Sequence, residues 1–325
     1  MKLNLFKIVI FVISLTLFQD YAAGQKKIAG KGRKTGAPAL TNFKNNPLPR
    51  NPASLKILGI GNSFTMDGME YLPDLLESAG IENVTLGRLI LGGCSLERHH
   101  RLYLSGDSLY KYIKSYPGKN VWETIDEKST FREAVADEGW DIIVIQQVSG
   151  NSGMYETYQP YLNELIDAMV TNCPNAGVCL AWQMTWAYAG NSDHEGFKNY
   201  NRDQMTMYYS IVDAVKTMVT ATGIDIVIPS ATAMQNLRTT AVNTPPFDLT
   251  RDGYHSDFGA GRYTLACTWF QTLVAPCLGK TIAENPFRTD KGNVPVDNSN
   301  YRMCQKAAQY ACSKRFEITF ISERQ

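Results

Sequence analysis

The sequence predicts an α/β fold: one parallel sheet of five strands with helices on both faces. Two patterns carry this expectation. Short apolar runs, several rich in Val and Ile, recur between residues 55 and 228, as strands buried on both faces do. Amphipathic stretches lie between them, and alternation of strand and helix builds a parallel sheet with right-handed crossovers.

The elements follow in chain order. Residues 1–24 are expected to lie outside the fold. "MKLNLFKIVIFVISLTLFQDYAAGQ" opens with Lys2 and Lys7, runs apolar from Ile8 to Phe18, and ends on the small residues Ala22, Ala23 and Gly24. That is the pattern of a secretory signal peptide cleaved before Gln25, and the apolar run is shorter than the roughly 20 residues that span a bilayer. No Cys stands at the point where a lipid would be attached. An exported, periplasmic or extracellular protein follows, with no stable membrane insertion after cleavage. Residues 25–50 are basic, rich in Gly, Pro and Asn, and poor in apolar positions, which reads as a flexible linker.

The core domain is expected over 51–278. Its strands are 55–60, 84–91 ("VTLGRLIL"), 141–145 ("DIIVI"), 176–182 ("AGVCLAW") and 224–228 ("IDIVI"). Helices are expected over 68–79, 131–138, 158–170, 204–219 and 257–273. The third of these spaces Leu162, Leu165, Ile166 and Met169 by three and four, the period of one buried helix face. Residues 97–130 read as an insertion with short elements of its own. The polar tail 279–325, helical near 301–313, is expected to pack on the outside of the domain.

Bulk properties narrow the function. A net charge of +1 over 325 residues lacks the basic excess of a nucleic-acid-binding face. Seven cysteines in an exported chain leave at least one unpaired. Neither Cys173 with Cys179 nor Cys304 with Cys312 has zinc-ligand spacing with a nearby His, so no metal is expected, and buried thiols with at most one or two disulfides are.

Ligands of parallel sheets bind beyond the carboxyl ends of the strands, which directs attention to the turns that follow them. "GNSF" leaves the first strand and places Ser63 at a strand-to-helix turn. No phosphate-loop pattern surrounds it, so two roles remain open: a helix cap or a nucleophile. A nucleophile needs a base, and the chain has four histidines: His99, His100, His194 and His255. His255 stands in "TRDGYHSDFGAGRY", with Asp252 three residues ahead. Across a tight turn that spacing can bring the carboxylate to Nδ1 and leave Nε2 free for the serine. Asp257 follows the His and reads as a helix-start residue. His99 and His100 are expected on the surface of the polar insertion and His194 in a loop. "WQMTWAYAG" follows the fourth strand, so Trp182 and Trp186 are candidate aromatic faces for a sugar ring or acyl group, with packing beneath the loop as the alternative.

"GNSF", the glycines of "LGGCSLE", "QQVSGNSG", "QMTWAY" and "LTRDGYH", in this order on these elements, resemble the SGNH (GDSL-type) hydrolase superfamily, in particular an uncharacterised branch of exported bacterial proteins. The resemblance covers about 55–275. It implies a flavodoxin-like three-layer sandwich, with Ser63 as nucleophile, His255 as general base and Asp252 as its orienter, and no cofactor. It also implies an oxyanion hole made by the serine N–H, a Gly N–H after the second strand and an Asn after the third. Gly93 is the candidate glycine, with Ser95 as a neighbouring alternative. The third block departs from the pattern: counting from Asp141 puts Gly150 where Asn would sit. Gln147 or Asn151 is the expected replacement.

The leading expectation is therefore a serine esterase that removes a small acyl group, most plausibly acetyl, from a carbohydrate. Two alternatives stand beside it. One is a carbohydrate-binding protein on the same scaffold without turnover, favoured by the altered third block. The other is a lipase or thioesterase, which would need a long apolar groove.

Overall fold

The structure, a computed structural model, describes residues 43–322; the expected signal peptide and most of the expected linker lie outside the described residues. Its centre is one sheet of seven strands in the order β4-β3-β2-β1-β5-β6-β7. These are β1 (Leu55–Gly61), β2 (Val84–Ile90), β3 (Tyr110–Ser115), β4 (Glu123–Ser129), β5 (Ile142–Ile145), β6 (Cys179–Gln183) and β7 (Ile226–Ile228). The pairs β1–β2, β1–β5, β5–β6 and β6–β7 are parallel. Those five strands are the ones the apolar runs mark.

The strand count of the sequence reading is corrected from five to seven. The segment expected as an insertion supplies helix α3 (Leu96–Ser105) and the strands β3 and β4, which extend the sheet antiparallel beyond β2. The pair carries no strand signal in the sequence because β4, "ETIDEKS", is an exposed and charged edge strand. Charge on an edge discourages pairing with other chains and also erases the apolar signature of a strand. Lys114 of β3 is buried and satisfied by Asp137 at 2.9 Å and Glu138 at 2.5 Å.

The first expected helix, 68–79, proves to be two: α1 (Ser63–Met69) and α2 (Leu72–Ser78), the second with Pro73 in its first turn. α1 starts directly after β1 and packs back on it. A Cβ on Gly61 would lie 2.2 Å from Thr65 Oγ1 and 3.0 Å from Gln146 Cγ, so only glycine admits that approach. The remaining helices are α4 (Phe131–Asp137), α5 (Tyr161–Asn172), α6 (Gln204–Thr222), α7 (Ser230–Arg238), α8 (Ala260–Trp269), α9 (Ala275–Leu278) and α10 (Tyr301–Ser313). A π-helical turn, Phe270–Val274, joins α8 to α9. α7 is absent from the sequence expectation because "SATAMQNLR" is buried nearly all round and so shows no amphipathic stripe. α10 packs on α7 and α8.

The part of the expected linker that is described is bound to the sheet. Asn45 donates to Leu180 O and accepts from Leu180 N, both at 2.9 Å, and Asn46 donates to Val178 O at 2.9 Å. β7 is only three residues long, and Asn45 satisfies backbone groups of β6 next to where their pairing begins at Ala181. All seven cysteines are described, and none forms a disulfide. Among the described residues no helix is long and apolar enough to cross a membrane.

Candidate active site

The chain leaves β1 through Asn62, and this residue, not Ser63, caps α1. Asn62 Oδ1 accepts from Phe64 N at 3.0 Å and from Gln146 Nε2 at 2.9 Å, while its Nδ2 donates to Cys94 O at 3.2 Å. The capping role is filled one residue early, so the Ser63 hydroxyl is left for another partner. That partner is His255, whose Nε2 lies 2.7 Å from Ser63 Oγ. On the other side of the ring, Nδ1 lies 2.6 Å from Asp252 Oδ2. The carboxylate faces Nδ1 and so holds the proton there, which leaves the Nε2 lone pair for the serine O–H.

Asp252 also organises its own turn. Its Oδ1 accepts from the N–H of His255 at 2.8 Å and of Tyr254 at 3.2 Å. Partial burial works against the Asp252 carboxylate. The bonds from the His255 ring and from the two N–H groups outweigh it and hold the pKa below the usual aspartate value.

Asp67, one helical turn after Ser63, is fully buried and receives Arg251 Nη1 at 2.9 Å, Arg262 Nη2 at 2.7 Å and Ser256 N at 3.1 Å. Arg251 N in turn donates to His255 O at 3.0 Å. The helix that carries Ser63 is thereby clamped to the loop that carries His255. Sequence reasoning missed this, although a carboxylate inside a short apolar helix is a signal of a buried charge with a partner. Asp257 points elsewhere: it accepts from Gly259 N at 2.8 Å and Asn293 N at 2.6 Å ahead of α8.

Ser63 and His255 open on a pocket of about 360 Å³ whose wall includes Gly93, Val148, Ser149, His194 and Tyr254. Gly93 sits in the tight turn after β2 with φ +60°, a conformation that favours glycine. Ser95, the alternative, caps α3 by accepting from Arg98 N at 3.2 Å. Wider clefts lie near Arg288 and near Lys44, away from this serine–histidine pair.

Several expected residues are placed otherwise. The Gln147 amide is spent: Nε2 donates to Thr157 O at 3.1 Å and Thr157 Oγ1 at 3.0 Å, and Oε1 accepts from Leu96 N at 3.0 Å and Val148 N at 2.8 Å. Asn151 ends a 3-10 turn, Ser149–Asn151, outside the pocket wall. Trp182 and Trp186 are buried core residues and offer no face to a ligand. Trp182 stacks on Tyr158, while Trp186 stacks on Phe64 at 4.1 Å and donates Nε1 to Tyr254 O at 2.8 Å. Tyr254 and Phe64 are aromatic side chains that do line the pocket. His99 is buried rather than on the surface; its Nδ1 meets Tyr110 OH at 2.9 Å, and burial pushes its pKa down to about 3. His100 pairs with Glu164. His194 is in a loop as expected, but that loop forms part of the pocket. Among the described residues no group of three or more His, Cys, Asp or Glu side chains is placed to hold a metal ion.

Fold and site define an α/β protein with a serine–histidine–aspartate hydrogen-bond chain over a pocket at the carboxyl edge of its sheet. The chain belongs to the family described as Domain of unknown function (DUF4886), whose model matches residues 56–311. It is similar to a DUF4886 family protein from Bacteroides uniformis of known crystal structure, with 39% identity and a TM-score of 0.75 over 83% of this chain and 99% of that one. More remotely, it is similar to a putative SGNH hydrolase from Slackia heliotrinireducens, with 20% identity and a TM-score of 0.45 over 67% of this chain and 98% of that one. An acetylxylan esterase from Geobacillus stearothermophilus gives 14% identity and a TM-score of 0.46 over 69% and 96% of the two chains. Among curated proteins there is no match.

Proposed function

We propose that this protein is an exported serine esterase that removes a small acyl group, acetyl above all, from a carbohydrate. The observation that carries the reading is the pair of contacts at His255, 2.7 Å to Ser63 Oγ and 2.6 Å to Asp252 Oδ2. Ser63 Oγ attacks the ester carbonyl carbon while His255 Nε2 takes its proton. The tetrahedral intermediate collapses, and the sugar hydroxyl leaves with the proton from Nε2. Water, deprotonated by the same nitrogen, then releases the acyl group as its acid. Asp252 steadies the imidazolium formed in each half. The Gly93 and Ser63 N–H groups are the backbone donors available to the oxyanion. A pocket of about 360 Å³ has room for a small acyl group together with part of a sugar ring. Tyr254 beside His255 supplies an aromatic face for a sugar ring.

The test is labelling with a fluorophosphonate probe, with hydrolysis of p-nitrophenyl acetate and an acetylated oligosaccharide followed in parallel. Ser63 is expected to carry the label, in a secreted chain that begins at Gln25. Ser63→Ala is expected to lose several orders of magnitude in kcat with its melting temperature unchanged. Label on another residue, or full activity in the variant, would sink the assignment. The second reading, a binding protein without turnover, is favoured by the pocket wall, to which the third block brings Val148 and Ser149 and no carboxamide; saccharide binding with no labelling of Ser63 would establish it instead.

A further inference from the structure

Acyl transfer at Ser63 needs hydrogen-bond donors where negative charge develops on the carbonyl oxygen. Asn62, Gln146 and Gln147 each already give an N–H to a protein acceptor. Asn62 Nδ2 donates to Cys94 O, Gln146 Nε2 to Asn62 Oδ1 and Gln147 Nε2 to Thr157. The Ser149 hydroxyl shares a hydrogen bond with Tyr188 OH at 2.8 Å, in which either oxygen can be the donor. One ring on the pocket wall is arranged differently. His194 Nδ1 accepts the N–H of Gly196 at 3.0 Å, so in the neutral imidazole the proton is on Nε2. Tyr188 and Tyr254 hold the ring from two sides, with centroids at 4.8 Å and 4.7 Å. Burial first, and then the nearby His255, lower its pKa, against smaller opposing effects of Asp193, Asp252 and Glu195, which keeps the ring neutral near pH 7.

The ring also lies beside the point where the third block lacks a side chain. A Cβ on Gly150 would come within 3.8 Å of His194 Cε1 and 3.2 Å of Gly196 Cα. The loop between β6 and α6 therefore packs closely against Gly150, with the His194 ring at ordinary contact distance from a side chain there. We propose that His194, through its Nε2–H, donates to the ester carbonyl oxygen at Ser63 and stabilises the oxyanion in place of a carboxamide from the third block. This rests on the serine-esterase reading. His194 keeps its proton throughout; His255 alone exchanges protons with serine, leaving group and water.

Two variants separate this role from the ring's part in the loop. His194→Asn retains a short side-chain acceptor for Gly196 N–H and removes the distal donor. His194→Gln restores an amide N–H near the position of Nε2. On p-nitrophenyl acetate, His194→Asn is expected to lower kcat roughly 10²-fold with KM changed less than about twofold, and to slow phosphonylation of Ser63 similarly. His194→Gln is expected to recover about tenfold of that loss, a rescue that a purely structural role would not give. If the Asn variant melts well below wild type, the Gln variant decides: one that melts like wild type must lose no more than about tenfold in kcat. Wild-type kcat in His194→Asn, a change in KM alone, or equal losses in both variants would overturn the proposal. If Ser63 in the wild type were neither labelled nor active, the esterase reading would fall first; an active wild type beside an unaffected Asn variant removes only the role of His194.

Discussion

Asp252 holds His255 in two ways at once, through the ring at Nδ1 and through the backbone N–H. An Asn at this position can keep the backbone bond. It cannot hold the proton on Nδ1 with the same strength, and it leaves the imidazolium without a counter-charge. Asp252→Asn is expected to fold normally and to lose roughly 10⁴-fold in kcat, read from steady-state kinetics beside a thermal melt. A variant within tenfold of wild type would take the carboxylate out of the mechanism. Because the folded-state pKa of Asp252 is depressed, its stabilising contribution is fully present above the ordinary aspartate value and is lost as pH falls through the depressed one. Loss of activity at mildly acid pH is therefore not to be traced to this carboxylate. Ser63, Asp252 and His255 were legible because their neighbours in the chain carry the geometry: a strand end, a turn and a spacing of three. The cap at Asn62 is not legible in the sequence, since Asn and Ser are equally good caps and only the hydrogen bonds decide between adjacent candidates.

At the scale of elements, the site depends on a clamp between α1 and the loop before α8. Asp67 is the hub, with 0% of its side chain exposed against 21% for Arg251 and 12% for Arg262. Removing one partner of a buried ion pair costs roughly 3–5 kcal/mol, because the other is left uncompensated. Here the two arginines keep some solvent and the face of Phe258, so the lower end applies. Asp67→Asn is expected to cost about 3 kcal/mol in urea unfolding and to lower kcat as the His255 loop loosens. Unchanged stability would mean the guanidinium groups find water without penalty. Elements with one buried face were legible. The edge hairpin β3–β4 and the engulfed α7 were not, since one is charged along an exposed edge and the other has no polar side to set a period.

For the whole molecule, the tail after Gly279 is part of the packed body and changes the charge balance of what it covers. Asp74 of α2 lies in a cleft shared with Arg288 and Lys291. Burial first, eased by its backbone bond and Lys291, raises its pKa from 3.8 to about 6. The folded state thus keeps a proton that the unfolded chain releases between those two values. Stability falls as pH rises through that window and does not recover above it. Asp74→Asn is expected to raise the melting temperature at about pH 7 and to leave it unchanged at about pH 4, as two calorimetric scans would show. An equal shift at both values would mean that Asp74 is not titrating there.

By itself the sequence determined the five parallel strands, the position of Ser63 at the carboxyl end of the first, and the Asp252–His255 turn. Each of these is a local pattern, readable from burial period, turn chemistry or spacing over a few residues. Only the tertiary structure decided what those residues meet. Ser63 and His255 are 192 residues apart, and Asp67 and Arg262 are 195 apart. Packing decided that Trp182 and Trp186 are core, and that Gln147 is spent on Thr157. It also decided that the loop carrying His194 packs against Gly150. The physical reason is that a side chain's hydrogen-bond partners and exposure are set by what the rest of the chain packs against it, and no period or spacing in the sequence records that.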